Sequence, residues 1–580
     1  MQKREIILQY LFVVGMLILT VWVLYGPTLS YEFCNDDKVY ILRNIMLDRF
    51  DQVQHIWQDF NTRFLPGLTF ALSYHWHGAE PFGFRIWNLV LHALNAFCVY
   101  LLVRWTFRSP GLINSAWAAR AHGLAFWSAM IFLVHPLQTE SVIYITQRIT
   151  LLGSFFYLSA ILFHIQARLR SRPVLWACSY SMMMLGVFSK EMVITLPFMI
   201  LIYDKCFFPG PQKTRFRCWG FLLPYFLLII PLLGIFISDS GDSLLALRHQ
   251  LKPFDGCYFL TTINVLRTYL RLFVFPVHQS IDYQYPLTQI FFEWPTLFSL
   301  SLLMLLLGVA VWQWPRQRLL SFAIFWFFLT TSVESGTVCF VQRAVLLEHW
   351  LYLPLVALAL FVPYAIYRGM KEEGQARMLL IVLICIGGIL TFQRKNVWRT
   401  ELSLWEDVIK KSPQHFRPYA IVGVYYSRLG RYQAALESYQ RVLPYFDQLT
   451  NVQQAQVLIN IGAIYGKTGD YQKELEYNQR ALEAYPDHVQ ALSNIGYAYT
   501  LMGELDRGQE YGKLAVAVDP DFAQAYNNLG VNRARAGELL DAVVYFEKAL
   551  ALEPDYALAA KNLKLAQENL ESQHADIPRP

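Results

Sequence analysis

The chain has 580 residues, of which 55% are hydrophobic and 16% aromatic, with a formal net charge of +6 and a mean hydropathy of +0.30. That is too apolar for an ordinary soluble protein and too charged for a bare membrane bundle. The basic residues sit mostly in short loops between apolar runs, which excludes a nucleic-acid-binding role, and eight cysteines without CxxC spacing exclude a zinc site or a disulfide framework.

Read in order, the chain opens on a short basic segment, Met1 to Arg4, which places the N-terminus in the cytoplasm by the positive-inside rule. Residues 6–25 are apolar and long enough to span a bilayer, and no small-residue cleavage site precedes Pro27, so a retained anchor is expected. This span delivers Asp36 and Asp37 to the far side, followed by a polar, aromatic loop to residue 85. Further spans are expected at residues 87–105, 124–134, 149–166, 174–188, 192–208, 216–237, 295–312, 319–332, 351–367 and 378–392. Residues 258–275 are also apolar, but Arg267 and Arg271 are four apart and share a helix face, so an in-plane helix is the cheaper placement. The pattern predicts eleven spans, with the N-terminus inside and the C-terminus outside.

With that topology, the polar stretches at span ends all face outward: Asp36-Asp37, His135-Pro136 with Glu140, Gln147-Arg148, Lys190-Glu191, Arg343 and Glu348-His349. Each has a plain structural reading as well. Asp36-Asp37 could cap a helix, His135 could be a hydrogen-bonded helix stop, Lys190-Glu191 a self-neutralising pair, and Arg148 and Arg343 interfacial anchors. Together they offer carboxylates, cations and aromatic rings at one membrane face, which is the chemistry for moving a glycosyl group off a lipid phosphate. Asp36 or Asp37 would then be the general base. Arg148, Lys190, Arg343 and His349 would contact the donor phosphate, and His135, Glu140, Glu191 and Glu348 would line the substrate cavity. The acidic pair is also where a divalent metal, Mg or Mn, would sit.

The polar part repeats. Asn460-Ile461-Gly462, Asn494-Ile495-Gly496 and Asn528-Leu529-Gly530 lie 34 apart (494 − 460, 528 − 494), as do Gly469, Gly503 and Gly537, and Pro486, Pro520 and Pro554. A 34-residue period with this pattern is a tetratricopeptide repeat, with a degenerate earlier unit from about residue 416 to 445. The sequence thus predicts an all-α chain: a polytopic helix bundle (1–392), a linker (393–415), a repeat superhelix (416–570) and a disordered tail (571–580).

The order of these stretches resembles the transmembrane and tetratricopeptide-repeat O-mannosyltransferases of the GT-C glycosyltransferase superfamily. The likeness is carried by Phe33-Cys34-Asn35-Asp36-Asp37, by the run from Arg85 to Asn95, by His135-Pro136-Leu137-Gln138-Thr139-Glu140, and by Gln147-Arg148. Ser189-Lys190-Glu191, Pro276 with Ser280-Ile281-Asp282-Tyr283, Glu348-His349-Trp350-Leu351-Tyr352 and the repeats continue it along nearly the whole chain. The resemblance implies a membrane enzyme with its acidic pair in the first extracytoplasmic loop, a polyprenyl-phosphate sugar as donor, and a protein Ser or Thr as acceptor. A protein or peptide on the concave face of the repeats and membrane lipid are the expected partners. The location implied is a bacterial inner membrane with periplasmic repeats, or the equivalent lumenal topology. The rival classes are a non-catalytic membrane scaffold and a lipid-linked-sugar transporter.

Overall fold

The computed structural model describes residues 2–42, 53–209, 220, 222–228, 256–335 and 346–575. Among these the chain is helical throughout, without strands, and divides into two compact units, Met1–Ser412 and Pro413–Pro580.

The first unit contains α1 (Gln2–Tyr25), α2 (Val53–Phe60), α3 (Phe64–His77), α4 (Pro81–Thr106), α5 (Ala121–Val134), α6 (Gln138–Ile143), α7 (Arg148–Arg170), α8 (Pro173–Val187) and α9 (Leu196–Phe207). It continues with α10 (Gly256–Val274), α11 (Trp294–Gln313), α12 (Arg318–Ser332), α13 (Leu355–Gly369), α14 (Glu373–Asn396) and α15 (Glu401–Lys411). Proline in the first turn starts α4, α8, α9 and α11, where its missing N–H costs nothing. Among the described residues five stretches are long and apolar enough to cross a bilayer: Arg4–Ser30, Pro81–Thr106, Ile145–Arg170, Trp294–Gln313 and Glu373–Asn396. Four other expected spans correspond to shorter apolar helices, Ala118–Val134, Pro173–Val187, Arg318–Ser332 and Leu355–Gly369. The span expected at 192–208 is shorter still, because Glu191–Thr195 forms a 3-10 turn ahead of α9. The span expected at 216–237 lies outside the described residues except for 220 and 222–228.

Helix α4 organises this unit. It packs on α1, α5 and α7, and Arg85, Asn88, His92 and Asn95 recur on one face at helical spacing, all buried. Polar groups so placed must find partners or the burial is prohibitive. His92 bonds the Tyr352 hydroxyl (2.9 Å) and the Leu133 carbonyl (3.2 Å), and Asn95 donates to the Leu151 carbonyl (3.0 Å). Asn88 donates to the carbonyls of Val142 (3.3 Å) and Tyr144 (3.4 Å). The four residues therefore fix the corner between α5 and α7.

The stretch expected to be a linker carries the end of α14 and all of α15. Thr400 and Ser403 form a capping box at the start of α15, which buries Leu404, Trp405 and Val408 in the first unit. Amphipathic spacing in this short segment is what the composition-based boundary missed.

The second unit holds α16 (Phe416–Arg428), α17 (Tyr432–Gln440) and then three helix pairs: α18 (Asn451–Lys467) with α19 (Tyr471–Ala484), α20 (Val489–Met502) with α21 (Leu505–Val518), and α22 (Ala523–Arg535) with α23 (Leu539–Leu552). Gly469, Gly503 and Gly537 turn each pair at φ of 86°, 88° and 83°, a region costly for any residue with a Cβ. Stacking is carried by clusters that join one pair to the next, such as Ala455, Leu458, Ile459, Ala481 and Ala491. A last helix, α24 (Ala557–Ala575), packs on α23 and runs into the stretch expected to be a disordered tail.

Candidate active site

The first loop is stitched to the corner between α6 and α7. Arg85 donates to the backbone carbonyls of Tyr31, Glu32 (2.6 Å) and Ile143 (3.3 Å). At Asn35 the backbone enters the left-handed region (φ 52°), which asparagine tolerates better than most residues. After that turn the two aspartates part. Asp37 is fully buried and its carboxylate accepts the backbone N–H of Thr146 (2.9 Å) and of Ile145 (3.4 Å). Burial, opposed by Arg85, pushes the Asp37 carboxyl up to about 7. Asp36 is exposed, its backbone N–H bonds the Tyr144 hydroxyl (3.0 Å), and its carboxylate has no hydrogen-bond partner among the described residues.

This separation argues against a metal on the pair. Both Asp37 oxygens accept from backbone donors inside the fold, whereas Asp36 is exposed. Among the described residues no group of three His, Cys, Asp or Glu side chains could hold a metal ion.

Several expected site residues are engaged in contacts within the fold. Arg148 is fully buried: Nε donates to Asn88 (3.2 Å), one terminal nitrogen to the Thr69 carbonyl (2.8 Å) and Ser73 hydroxyl (3.0 Å), the other to the Phe84 carbonyl (2.7 Å). Its guanidinium also lies over the Phe70 ring at 4.7 Å, so it ties α3, α4 and α7 together and presents no free cation. His135 takes its plain reading: Nε2 donates to the Phe273 carbonyl (3.1 Å), Nδ1 accepts from Leu137, and burial pushes it down to about 4. Glu348 is buried and clasps the loop after α10, accepting from Ser280 N–H (2.7 Å), Gln279 (2.8 Å) and the Tyr283 hydroxyl (2.5 Å). Arg343 lies outside the described residues.

The remaining residues gather into one charged cluster. Lys190 Nζ is 2.8 Å from Glu334 Oε1 and donates to the Thr150 hydroxyl (2.8 Å). Arg63, ahead of α3, pairs with Glu191 at 3.1 Å and remains about one third exposed (35%), with donors to spare. His349 Nδ1 lies 2.6 Å from Glu140 Oε1. Burial, aided by Lys190, pushes the imidazole down to about 3, while Glu334 and Asp36 pull the other way. Burial pushes Glu140 up to about 8, against Arg394 and Lys190. Asp36, Arg63, Glu140, Lys190, Glu191, Glu334 and His349 thus share one electrostatic neighbourhood. Sequence reasoning missed Arg63 and Glu334. Arg63 sits in a long loop with no motif around it, and Glu334 follows an apolar run as an ordinary helix end would.

Residues 414–487 and 523–556 match family models described as tetratricopeptide repeat. The protein O-mannosyl-transferase F38B6.6 of Caenorhabditis elegans is 24% identical over 67% of this chain and 56% of its own length. Protein O-mannosyl-transferase Tmtc3 of Drosophila melanogaster is 24% identical over 68% of this chain and 49% of its own length. The human TMTC3 is 21% identical, over 67% and 44% respectively. The chain is TMTC-like. It spans about half the length of the curated relatives it matches. Among solved structures, the first tetratricopeptide-repeat domain of human RPAP3 covers 21% of the TMTC-like chain at 26% identity, with a TM-score of 0.20.

Proposed function

We propose that the chain is an integral-membrane glycosyltransferase of GT-C type. It would move a sugar with inversion from a polyprenyl-phosphate donor to a Ser or Thr hydroxyl of an extracytoplasmic protein held by the repeats. The observation that carries this reading is Asp36: an exposed carboxylate without a partner among the described residues, anchored by its buried neighbour, beside a cluster that holds Arg63, Lys190 and His349. The names of the related proteins, protein O-mannosyl-transferases, support it and favour mannose as the sugar.

In this mechanism Asp36 takes the proton of the acceptor hydroxyl as its oxygen attacks the anomeric carbon. The bond from that carbon to the phosphate oxygen breaks, and its electron pair leaves with the polyprenyl phosphate. Arg63 and Lys190 stabilise that developing charge, Arg63 through its spare donors and Lys190 through its third N–H. No step is routed through a metal, since the acidic pair does not fit one. Intact-mass analysis of extracytoplasmic proteins from a deletion strain tests the reading. Loss of hexose-sized mass increments from a subset of proteins is expected, and an unchanged profile would contradict it.

A further inference from the structure

Within the glycosyl-transfer reading, on which this inference rests, His349 is held at one ring nitrogen and not at the other among the described residues. Its Nδ1 is 2.6 Å from Glu140, the side chain is 11% exposed, and Nε2 meets no hydrogen-bond partner among the described residues. Glu140 is enclosed (2% exposed), and the backbone N–H groups of His349 and Glu348 nearby favour its ionised form against the burial that raises it.

The charged and titratable groups around the pair come from every neighbouring element. They are Asp36 from the first loop, Arg63 ahead of α3, Lys190 ahead of the 3-10 turn, Tyr269 on α10, Glu334 after α12, Arg394 on α14, and Glu348 alongside. Burial and the cation Lys190 disfavour an imidazolium, and burial disfavours an ionised Glu140. A neutral pair satisfies both: the carboxylic acid donates to Nδ1, which leaves the hydrogen on Nε2.

We propose that Glu140 is a positioning residue whose carboxylic acid fixes the tautomer of His349, so that His349 presents Nε2–H to the leaving phosphate of the donor. A neutral donor fits this place. Arg63 and Lys190 already bring positive charge, each balanced by a carboxylate, and a third cation would have to be desolvated among them.

The test is binding of undecaprenyl monophosphate to the purified full chain in detergent, followed by tryptophan fluorescence from pH 7 to 9. The second ionisation of a phosphate monoester, near a pKa of about 6, is about nine-tenths done at pH 7, so a tenfold change above that pH reports the protein. Wild-type affinity is expected to fall by about tenfold as Glu140 ionises and the tautomer is lost, on the scale of one hydrogen bond. Glu140→Gln should show no such fall. His349→Leu should bind about tenfold more weakly at pH 7 with no pH dependence, and His349→Gln, which keeps an N–H donor, should recover part of the loss. All four proteins are compared only after matching elution and thermal melting. A His349→Leu protein that binds like wild type, or a Glu140→Gln protein that keeps the alkaline fall, overturns the dyad and leaves the glycosyl-transfer reading standing. A wild-type chain that does not bind the lipid phosphate removes that reading, and the dyad with it.

Discussion

At the scale of single residues, Asp36 and Asp37 have the same chemistry and opposite surroundings. Asp37→Ala would leave the N–H groups of Ile145 and Thr146 without an acceptor, at about 1–3 kcal/mol for each buried orphan. The expected result is a lower melting temperature with any loss of transfer explained by loss of folded protein. Asp36→Asn should melt like wild type, since its carboxylate supports no contact among the described residues. Arg148→Lys tests the structural reading of that residue. A lysine cannot serve α3, α4 and α7 at once, so the yield of folded protein should drop several-fold, and a folded variant with weakened donor binding alone would contradict this. The sequence made the acidic pair visible because two carboxylates follow a membrane-length run. It did not show which one faces out. That depends on the left-handed turn at Asn35 and on Phe33 and Cys34 going into the core, neither of which has a sequence signature.

At the scale of elements, the repeat period was readable because small residues and turn glycines must recur wherever two helices approach closely. The conspicuous exception is Glu474. It stands at the interval occupied by Gly508 and Ala542 in the next two pairs, is 5% exposed, and has an oxygen without a partner. Burial pushes its carboxyl up from 4.5 to about 7. The folded form therefore binds the proton more tightly than the unfolded chain. Its contribution is most favourable below about 4.5 and is lost as pH rises towards 7. The full chain should show a repeat-unit melting transition that falls between pH 5 and 7, and Glu474→Gln should flatten that slope. Equal slopes in both proteins would mean the carboxyl is solvated. The polar face of α4 shows the converse limit. Its helical spacing is plain in sequence, but its role in fixing the corner that receives Asp37 comes only from contacts with α6 and α7.

At the scale of the whole molecule, the division into an apolar and a repeat-bearing unit was legible from composition and period. The eleven expected spans are matched in part, by five long apolar helices and four shorter ones among the described residues. Short apolar helices and 3-10 turns carry no hydropathy signal that separates a crossing from a buried half-span. Impermeant labelling of single cysteines at Asn114 and Gln567, in a cysteine-free background, tests the predicted sidedness. Both positions are exposed, and reaction only at Gln567 is expected. Labelling at Asn114 from outside would contradict the topology. If the repeats raise the local concentration of a protein acceptor, deleting residues 413–580 should reduce transfer to protein far more than transfer to a short peptide. Equal losses on both would mean the repeats serve folding alone. The most direct measurement is transfer of sugar from synthetic polyprenyl-phosphate mannose by the purified full chain, comparing wild type with Asp36→Asn at matched folding. The account predicts glycosylated acceptor and free polyprenyl phosphate from wild type, and at least a hundredfold less from Asp36→Asn, in line with the loss of a general base. Wild-type turnover in Asp36→Asn would contradict it.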